Sequence, residues 1–221
     1  MTLRFSTLPK ILIITTIIFS LSTLEAEEYK PSLSKGSESG IEVRLNGLYS
    51  SGRFVQELTV YDAAGVPMQT DTKSSDLTTK GFSVLLGYGR EYRKREQSSF
   101  IYMGYEGQKW NDAYDSQYHA FIVGVEGGVG NAMVKFIYGG EFAFGVLDTG
   151  AESLGYLSTF TAEPYIGLRL LSTMGLSLNF RVGARGYYVE EVKRIELGNA
   201  VLSENGAYTA NVQFGLGYQF Y

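Results

Sequence analysis

From Gly40 onward the chain alternates apolar and polar positions with a period of two, in eight separate stretches. Such a period marks a strand whose two faces meet different surroundings. The stretches read "IEVRLNGLY", "KGFSVLLGYGR", "SFIYMGYEGQKW", "HAFIVGVEGGV", "AMVKFIYGGEFAF", "FTAEPYIGLRL", "LSLNFRVGARGYY" and "ANVQFGLGYQFY". The seventh is the most regular: Leu176, Leu178, Phe180, Val182 and Ala184 alternate with Ser177, Asn179, Arg181 and Arg185. The third is the least regular, and placing Ile101, Met103 and Tyr105 on the apolar face keeps Glu106 on the polar one. The chain runs to its last residues on this pattern, with Phe214, Leu216, Tyr218 and Phe220 on one parity and Tyr221 one step beyond.

The intervening segments are long at 52–79, short at 92–97, medium at 111–117, tight at Gly130–Asn131, long at 145–157, short at 172–174 and long at 191–207. Long–short alternation is what an up-and-down barrel shows when one rim carries turns and the other carries loops. Pro164 falls inside the sixth stretch, where its missing N–H predicts a bulge.

Two architectures share this pattern. A soluble barrel or sandwich turns the apolar face inward; a membrane barrel turns it toward lipid and keeps the polar face for the lumen. Several stretches approach the ~9–11 residues of a tilted membrane strand and exceed the ~5–6 of a soluble one. Tyr49, Tyr88, Tyr188, Tyr218 and Phe220 lie near strand ends on the apolar parity, where interfacial aromatic girdles sit. The N-terminus adds an address. Arg4 and Lys10 precede the apolar run "ILIITTIIFSL", followed by "STLEA". This reads as a signal peptide over residues 1–26, against the competing reading of a single membrane anchor, which needs ~20 apolar residues. A polar lead over residues 27–39 separates it from the barrel, residues 40–221.

Charge sharpens the choice. The polar parity carries Glu42, Glu106, Glu126, Glu141 and Glu163 together with Arg44, Lys135, Arg169, Arg181 and Arg185. A balanced set of acids and bases suits a confined lumen, because an unpaired buried charge is costly. With no cysteine in 221 residues, disulfides, thiolate metal sites and lipoprotein acylation are excluded. The net charge of −4 argues against a nucleic-acid partner.

On its signal peptide, eight alternating strands, loop rhythm and terminal "YQFY", the chain resembles the small eight-stranded outer-membrane barrels of Gram-negative bacteria, the OmpA-like and OmpX-like families. The resemblance covers about Gly40 to Tyr221. It implies an all-β, eight-stranded antiparallel up-and-down transmembrane β-barrel, located in the cell outer membrane, with its N-terminal signal peptide cleaved. It also implies that Phe214, Leu216, Tyr218, Phe220 and Tyr221 carry the insertion signal read by the barrel-assembly machinery, and that outer-membrane lipid and lipopolysaccharide surround the wall. The fold does not name a task, since one barrel serves many.

Candidate chemistry is sparse. His119 is the single histidine. Outer-membrane lipid A deacylases pair a histidine with a serine two residues on; here that residue is Phe121, so the expectation is an interfacial or loop-packing histidine. "GVEGGVGNA" lacks the following helix a phosphate loop needs, and Gly124 and Gly128 are expected to serve close packing in the lumen. "REYRKREQ", residues 90–97, reads as a basic solvated turn. The outer loops are acidic: Glu57, Asp62, Asp71 and Asp76 against Lys73; Asp148 and Glu152; Glu191, Glu196 and Glu204 against Lys193 and Arg194. They suit a soluble rim, cation bridging to lipopolysaccharide or docking of a host protein, without ligand spacing for a calcium site. The expected function is a non-enzymatic surface protein, a plugged barrel displaying its loops for structural, adhesive or host-interaction roles, with no cofactor and no metal. A small channel and a lipid-modifying enzyme are the alternatives.

Overall fold

The computed structural model describes residues 37–62, 64–92, 97–112, 115–131, 133–150, 155–172, 175–196 and 199–220. The expected signal peptide, most of the polar lead, the turn residues 93–96, Glu152 and Tyr221 lie outside the described residues. So do the side chains of residues 191–204.

Eight strands follow one another: β1 Ser37–Tyr61, β2 Pro67–Tyr92, β3 Gln97–Trp110, β4 Gln117–Gly130, β5 Val134–Asp148, β6 Tyr156–Leu171, β7 Leu176–Glu196 and β8 Asn199–Phe220. Each pairs antiparallel with its sequence neighbours, and β1 closes on β8 from Ile41 opposite Phe220 to Tyr61 opposite Ala200. The result is a closed barrel in chain order. Closure leaves the wall without a free edge.

The two faces follow the sequence parity. Ile41, Val43, Leu45, Phe82, Leu86, Ile101, Met103, Phe121, Ile166, Leu168, Leu176, Phe180, Phe214, Leu216 and Phe220 are exposed on the outer wall. Their neighbours along each strand are buried or half-buried. Ile101, Met103 and Tyr105 are among the exposed residues, and Glu106 is buried, as the reading of the irregular third stretch requires. Cross-strand registers join the apolar positions into a continuous belt, such as Val43 opposite Tyr218 and Leu45 opposite Leu216.

Three expectations are corrected. The long connections at 52–79 and 191–207 are largely strand. β1 and β2 remain paired from the barrel rim out to Tyr61 opposite Pro67, and β7 and β8 out to Glu196 opposite Asn199. Because β1 pairs β8 along the same length, the two hairpins form one four-stranded sheet, β2–β1–β8–β7, beyond the rim. The ten residues from Gly52 to Tyr61 carry it about 30 Å along the strand at ~3.3 Å per residue. The segment 145–157 is likewise shortened, with β5 reaching Asp148 and β6 starting at Tyr156.

Pro164 makes no bulge. The β6–β7 ladder omits Glu163 and Pro164, yet Ala162 opposite Gly186 and Tyr165 opposite Gly183 keep one register across the gap. On its other side Pro164 stays opposite Gly140. Removing one donor costs the wall a ladder bond without inserting a residue. The irregularity in this part of the wall lies instead between Val189 and Val192 of β7, at the step from barrel to protruding sheet.

The turn end is tightly built. Asn131 Oδ1 accepts hydrogen bonds from the backbone N–H of Met133 at 2.9 Å and Val134 at 2.7 Å. Gly130 has φ +140°, a conformation that disfavours a side chain.

Candidate functional site: the barrel lumen

Every charged residue that the sequence places on the polar parity lies inside the barrel and is buried: Glu42, Arg44, Glu106, Glu126, Lys135, Glu141, Glu163, Arg169, Arg181 and Arg185. Eight strands enclose a bore that side chains can fill, so charges projecting from opposite walls meet.

Two arginines act as hubs. Toward the turn end, Arg44 donates from Nε to Glu42 Oε1 at 2.9 Å, and from Nη1 and Nη2 to the two oxygens of Glu126 at 3.0 and 2.9 Å. Its guanidinium also lies 4.0 Å from the Phe100 ring centre. Glu42 receives a further bond from Arg169 Nη2 at 2.6 Å and one from the Ser177 hydroxyl at 2.9 Å. Arg181 Nη2 donates to Glu126 at 2.8 Å, and its Nη1 lies 3.8 Å from Glu141, an ion pair that links the two levels. Nearer the hairpin end, Arg185 donates to three carboxylates: Glu163 at 2.5 Å, Glu141 at 2.5 Å, and both oxygens of Glu106. Forked guanidinium–carboxylate pairing of this kind is among the stronger hydrogen-bonding arrangements in proteins.

Neutral side chains extend the network. Tyr102 donates to Glu141 at 2.9 Å and Tyr165 to Glu126 at 3.2 Å. Asn211 donates to Glu163 at 2.6 Å, and Gln108 to Glu106 at 2.6 Å. These partners satisfy lone pairs that a buried carboxylate cannot leave empty without cost.

The sequence reading passed over two parts of this interior. Glu91 is buried and pairs with Lys135 at 2.8 Å near the turn end. The sequence groups it with the basic turn, although it shares the inward parity of Ser83 and Leu85. With Glu91 the buried set holds six acids and five bases among the described residues, in place of an even balance. The second part is apolar. Trp110, Tyr118, Tyr187, Leu77, Leu147 and Val189 pack together at the hairpin end of the lumen. Tyr187 meets the rings of Trp110 and Tyr118 edge-on at 5.0 and 5.7 Å. All stand on inward parity, so alternation could have found them; attention to charges alone did not.

Gly124 faces the lumen directly against the Tyr102 ring, where a Cβ would overlap the phenol. The glycine therefore makes room for the tyrosine that reaches Glu141. Gly128 also packs inward, against Ser98 and Ile137.

Outside the lumen, His119 sits on β4 with Nδ1 2.6 Å from the Tyr105 hydroxyl and the two rings stacked at 6.2 Å. No serine or carboxylate is among its described partners. At the hairpin rim, the exposed Glu190 accepts the backbone N–H of Ser158 at 3.1 Å, and hydrogen bonds from Ser158 hold its carboxyl below the usual range. Of the acidic hairpin residues, Glu57, Asp71 and Asp76 are exposed and Asp62 is half-buried, its carboxylate accepting the backbone N–H groups of Ala64 and Val66. Among the described residues no cluster of potential metal ligands occurs. Among the described residues no helix is long and apolar enough to cross a membrane, which says nothing of a β-barrel. Phe214, Leu216, Tyr218 and Phe220 line the outer wall of β8, with Tyr218 and Phe220 in edge contact at 4.7 Å.

No protein-family model matches the chain, and no curated protein matches it in sequence. Among solved structures it is similar to Neisserial surface protein A, NspA, at 15% identity over 84% of this chain and 100% of that one, with a TM-score of 0.44. It is also similar to Ail, the attachment invasion locus protein of Yersinia pestis, at 13% identity over 79% and 98% of the two chains, with a TM-score of 0.33. Ail in complex with the heparin analogue sucrose octasulfate matches at 14% identity over 80% and 99%, again at 0.33. These are likenesses of chain trace at low identity, and no functional residue is carried across from them.

Proposed function

We propose that the chain is a non-enzymatic outer-membrane surface protein: a plugged barrel that anchors a protruding sheet for structural, adhesive or host-interaction roles. One observation carries this reading. The wall is apolar outside and charged inside, the reverse of a soluble barrel. In water such a belt would be a large unfavourable surface, and in a bilayer it is the solvated one. A closed ladder also satisfies wall backbone groups that lipid cannot.

The plug separates a scaffold from a channel. Arg44, Arg181 and Arg185 each reach across the bore to acids on other strands, and the aromatic cluster at Trp110 fills the hairpin end. An ion crossing this interior would have to break several charge-assisted bonds at once. His119, bonded to a tyrosine on the outer wall, does not assemble a nucleophile. Lipid and lipopolysaccharide contact the belt in this reading, the barrel-assembly machinery reads the last strand, and a host protein meets the acidic hairpins.

The test uses the refolded mature chain. Heated and unheated samples should migrate differently on a detergent gel, and planar bilayers holding the folded protein should show no regular conductance steps. Reproducible steps that vanish on unfolding would move the small-channel reading ahead. Equal migration would remove the membrane barrel itself.

A further inference from the structure

The outer wall is not uniform in charge. Among residues whose side chains are described, the outward-facing lysines and arginines near the hairpin end are Arg53, Lys80 and Lys109, all on β1–β3. Arg53 stands opposite Asp76 and has an acidic neighbour. Lys80 does not: its cross-strand partners are Tyr49 on β1 and Lys109 on β3. Two lysines placed directly opposite repel, which destabilises a strand pair. Lys109 has Asp115 at 3.6 Å, but both groups are about two-thirds exposed, and such a pair contributes little. The next acid along the same row, Asp148, is two strands away from Lys109, beyond Gln117.

What lies beneath the pair gives it meaning. In the next two outward rows toward the turn end, Phe82 and Tyr105 contact at 6.0 Å, and Tyr105 stacks on His119. The two rings fold over Gly107, whose missing side chain leaves space beside the Tyr105 hydroxyl. Aromatic rings at this height mark a membrane interface. Lysines just outside that shelf stand at headgroup depth, and their long stems let the ammonium groups rise or fall to meet an anion.

We propose that this arc of β1–β3 is a docking site for a phosphorylated glycolipid headgroup of the surrounding leaflet, with Lys80 and Lys109 sharing the phosphate and Tyr105 and His119 supporting the sugar. The proposal rests on the membrane reading above and adds a site to it. A phosphate between the two ammonium groups converts their repulsion into attraction.

The test presents the refolded mature chain in detergent micelles with lipid A bearing both phosphates, with the same lipid after phosphatase treatment, and with inorganic phosphate, and reads bound lipid by native mass spectrometry. Heat-dependent gel migration is checked first; a wild type that fails it removes the membrane reading, whereas the outcomes below concern the site alone. Wild type should retain bisphosphorylated lipid A at least about tenfold better than Lys80→Gln/Lys109→Gln, while Lys73→Gln on the protruding hairpin matches wild type. The single Lys80→Gln variant replaces the double if the double does not fold. Equal retention by wild type and the lysine variant overturns the proposal. So does equal retention of the dephosphorylated lipid. Displacement by millimolar inorganic phosphate would assign the pair to free phosphate and overturn the lipid assignment.

Discussion

Strands β1, β2, β7 and β8 each pass through two regions, the barrel wall and the sheet beyond its rim. Backbone pairing is continuous between them, with Ser50 opposite Thr79 in the wall and Thr59 opposite Thr70 in the sheet. The side chains differ completely. In the wall β1 reads exposed, buried, exposed, buried from Ile41 to Ser50. In the sheet, Asp71 to Asp76 of β2 are all exposed. A period of two therefore records two different solvents on the two faces, and pairing alone leaves no such record. Beyond the rim both faces of the outer strand meet water, the alternation fades, and a sequence reading sees a loop where the chain forms a strand.

The largest effect expected from this contrast concerns arginine. Arg185 is held by three buried carboxylates from β3, β5 and β6. Arg185→Ala leaves them without their cation and should cost about 3–5 kcal/mol. Arg53→Ala, two strands away in the ring but exposed on the sheet, should cost within about 0.5 kcal/mol. Urea unfolding in lipid vesicles, followed by Trp110 fluorescence, measures both. A cycle of Arg185→Ala with Glu163→Ala should show coupling of at least ~1 kcal/mol. Zero coupling would mean that water already screens the pair, and the contrast between interior and sheet would collapse.

The same physics explains what the chain made legible. Parity alone placed Arg181 inward and Val182 outward, because a strand offers only two directions. It could not say that Arg44 bridges Glu42 on its own strand to Glu126 on β4, or that Arg185 rather than Arg181 gathers three acids. Those meetings depend on stagger around the barrel, which is set by registers the sequence does not print. Glu91 was lost for a local reason, since the basic residues that follow it drew the whole stretch into a turn. The aromatic cluster at Trp110 was lost because an apolar residue on a polar face looks like noise in an alternation count.

A smaller effect probes the outer face. Val182 lies on the belt of β7, opposite Ile166 and Val212. Val182→Arg should destabilise by about 2–4 kcal/mol if that face meets the bilayer midplane, and the variant should fold more slowly into vesicles. Thr72→Arg, exposed on the sheet portion of β2, should change stability by no more than about 0.5 kcal/mol. Matching tolerance at the two sites would mean that the wall has water on its outside as well, which removes the distinction between the regions.

The finest comparison uses one chemistry twice in one hairpin. Ser50 and Thr79 share a hydroxyl–hydroxyl bond at 2.5 Å, buried in the wall. Thr59 and Thr70 share one at 3.3 Å, exposed on the sheet. Both join directly opposed residues of β1 and β2, so strand pairing and turn are held constant. Thr79→Ser keeps the hydroxyl and serves as a control for the methyl. Ser50→Ala leaves the Thr79 hydroxyl buried without that partner and should cost about 1–2 kcal/mol. Thr59→Ala leaves Thr70 to water, which replaces the lost bond, so the change should stay within about 0.5 kcal/mol. Equilibrium unfolding of the three variants in the same vesicles gives the answer. A loss at Thr59 as large as that at Ser50 would show that the protruding sheet is folded as one cooperative unit with the barrel, with an interior of its own; a loss confined to Ser50 means that the sheet is solvated on both faces and that the rim is where the protein's interior ends.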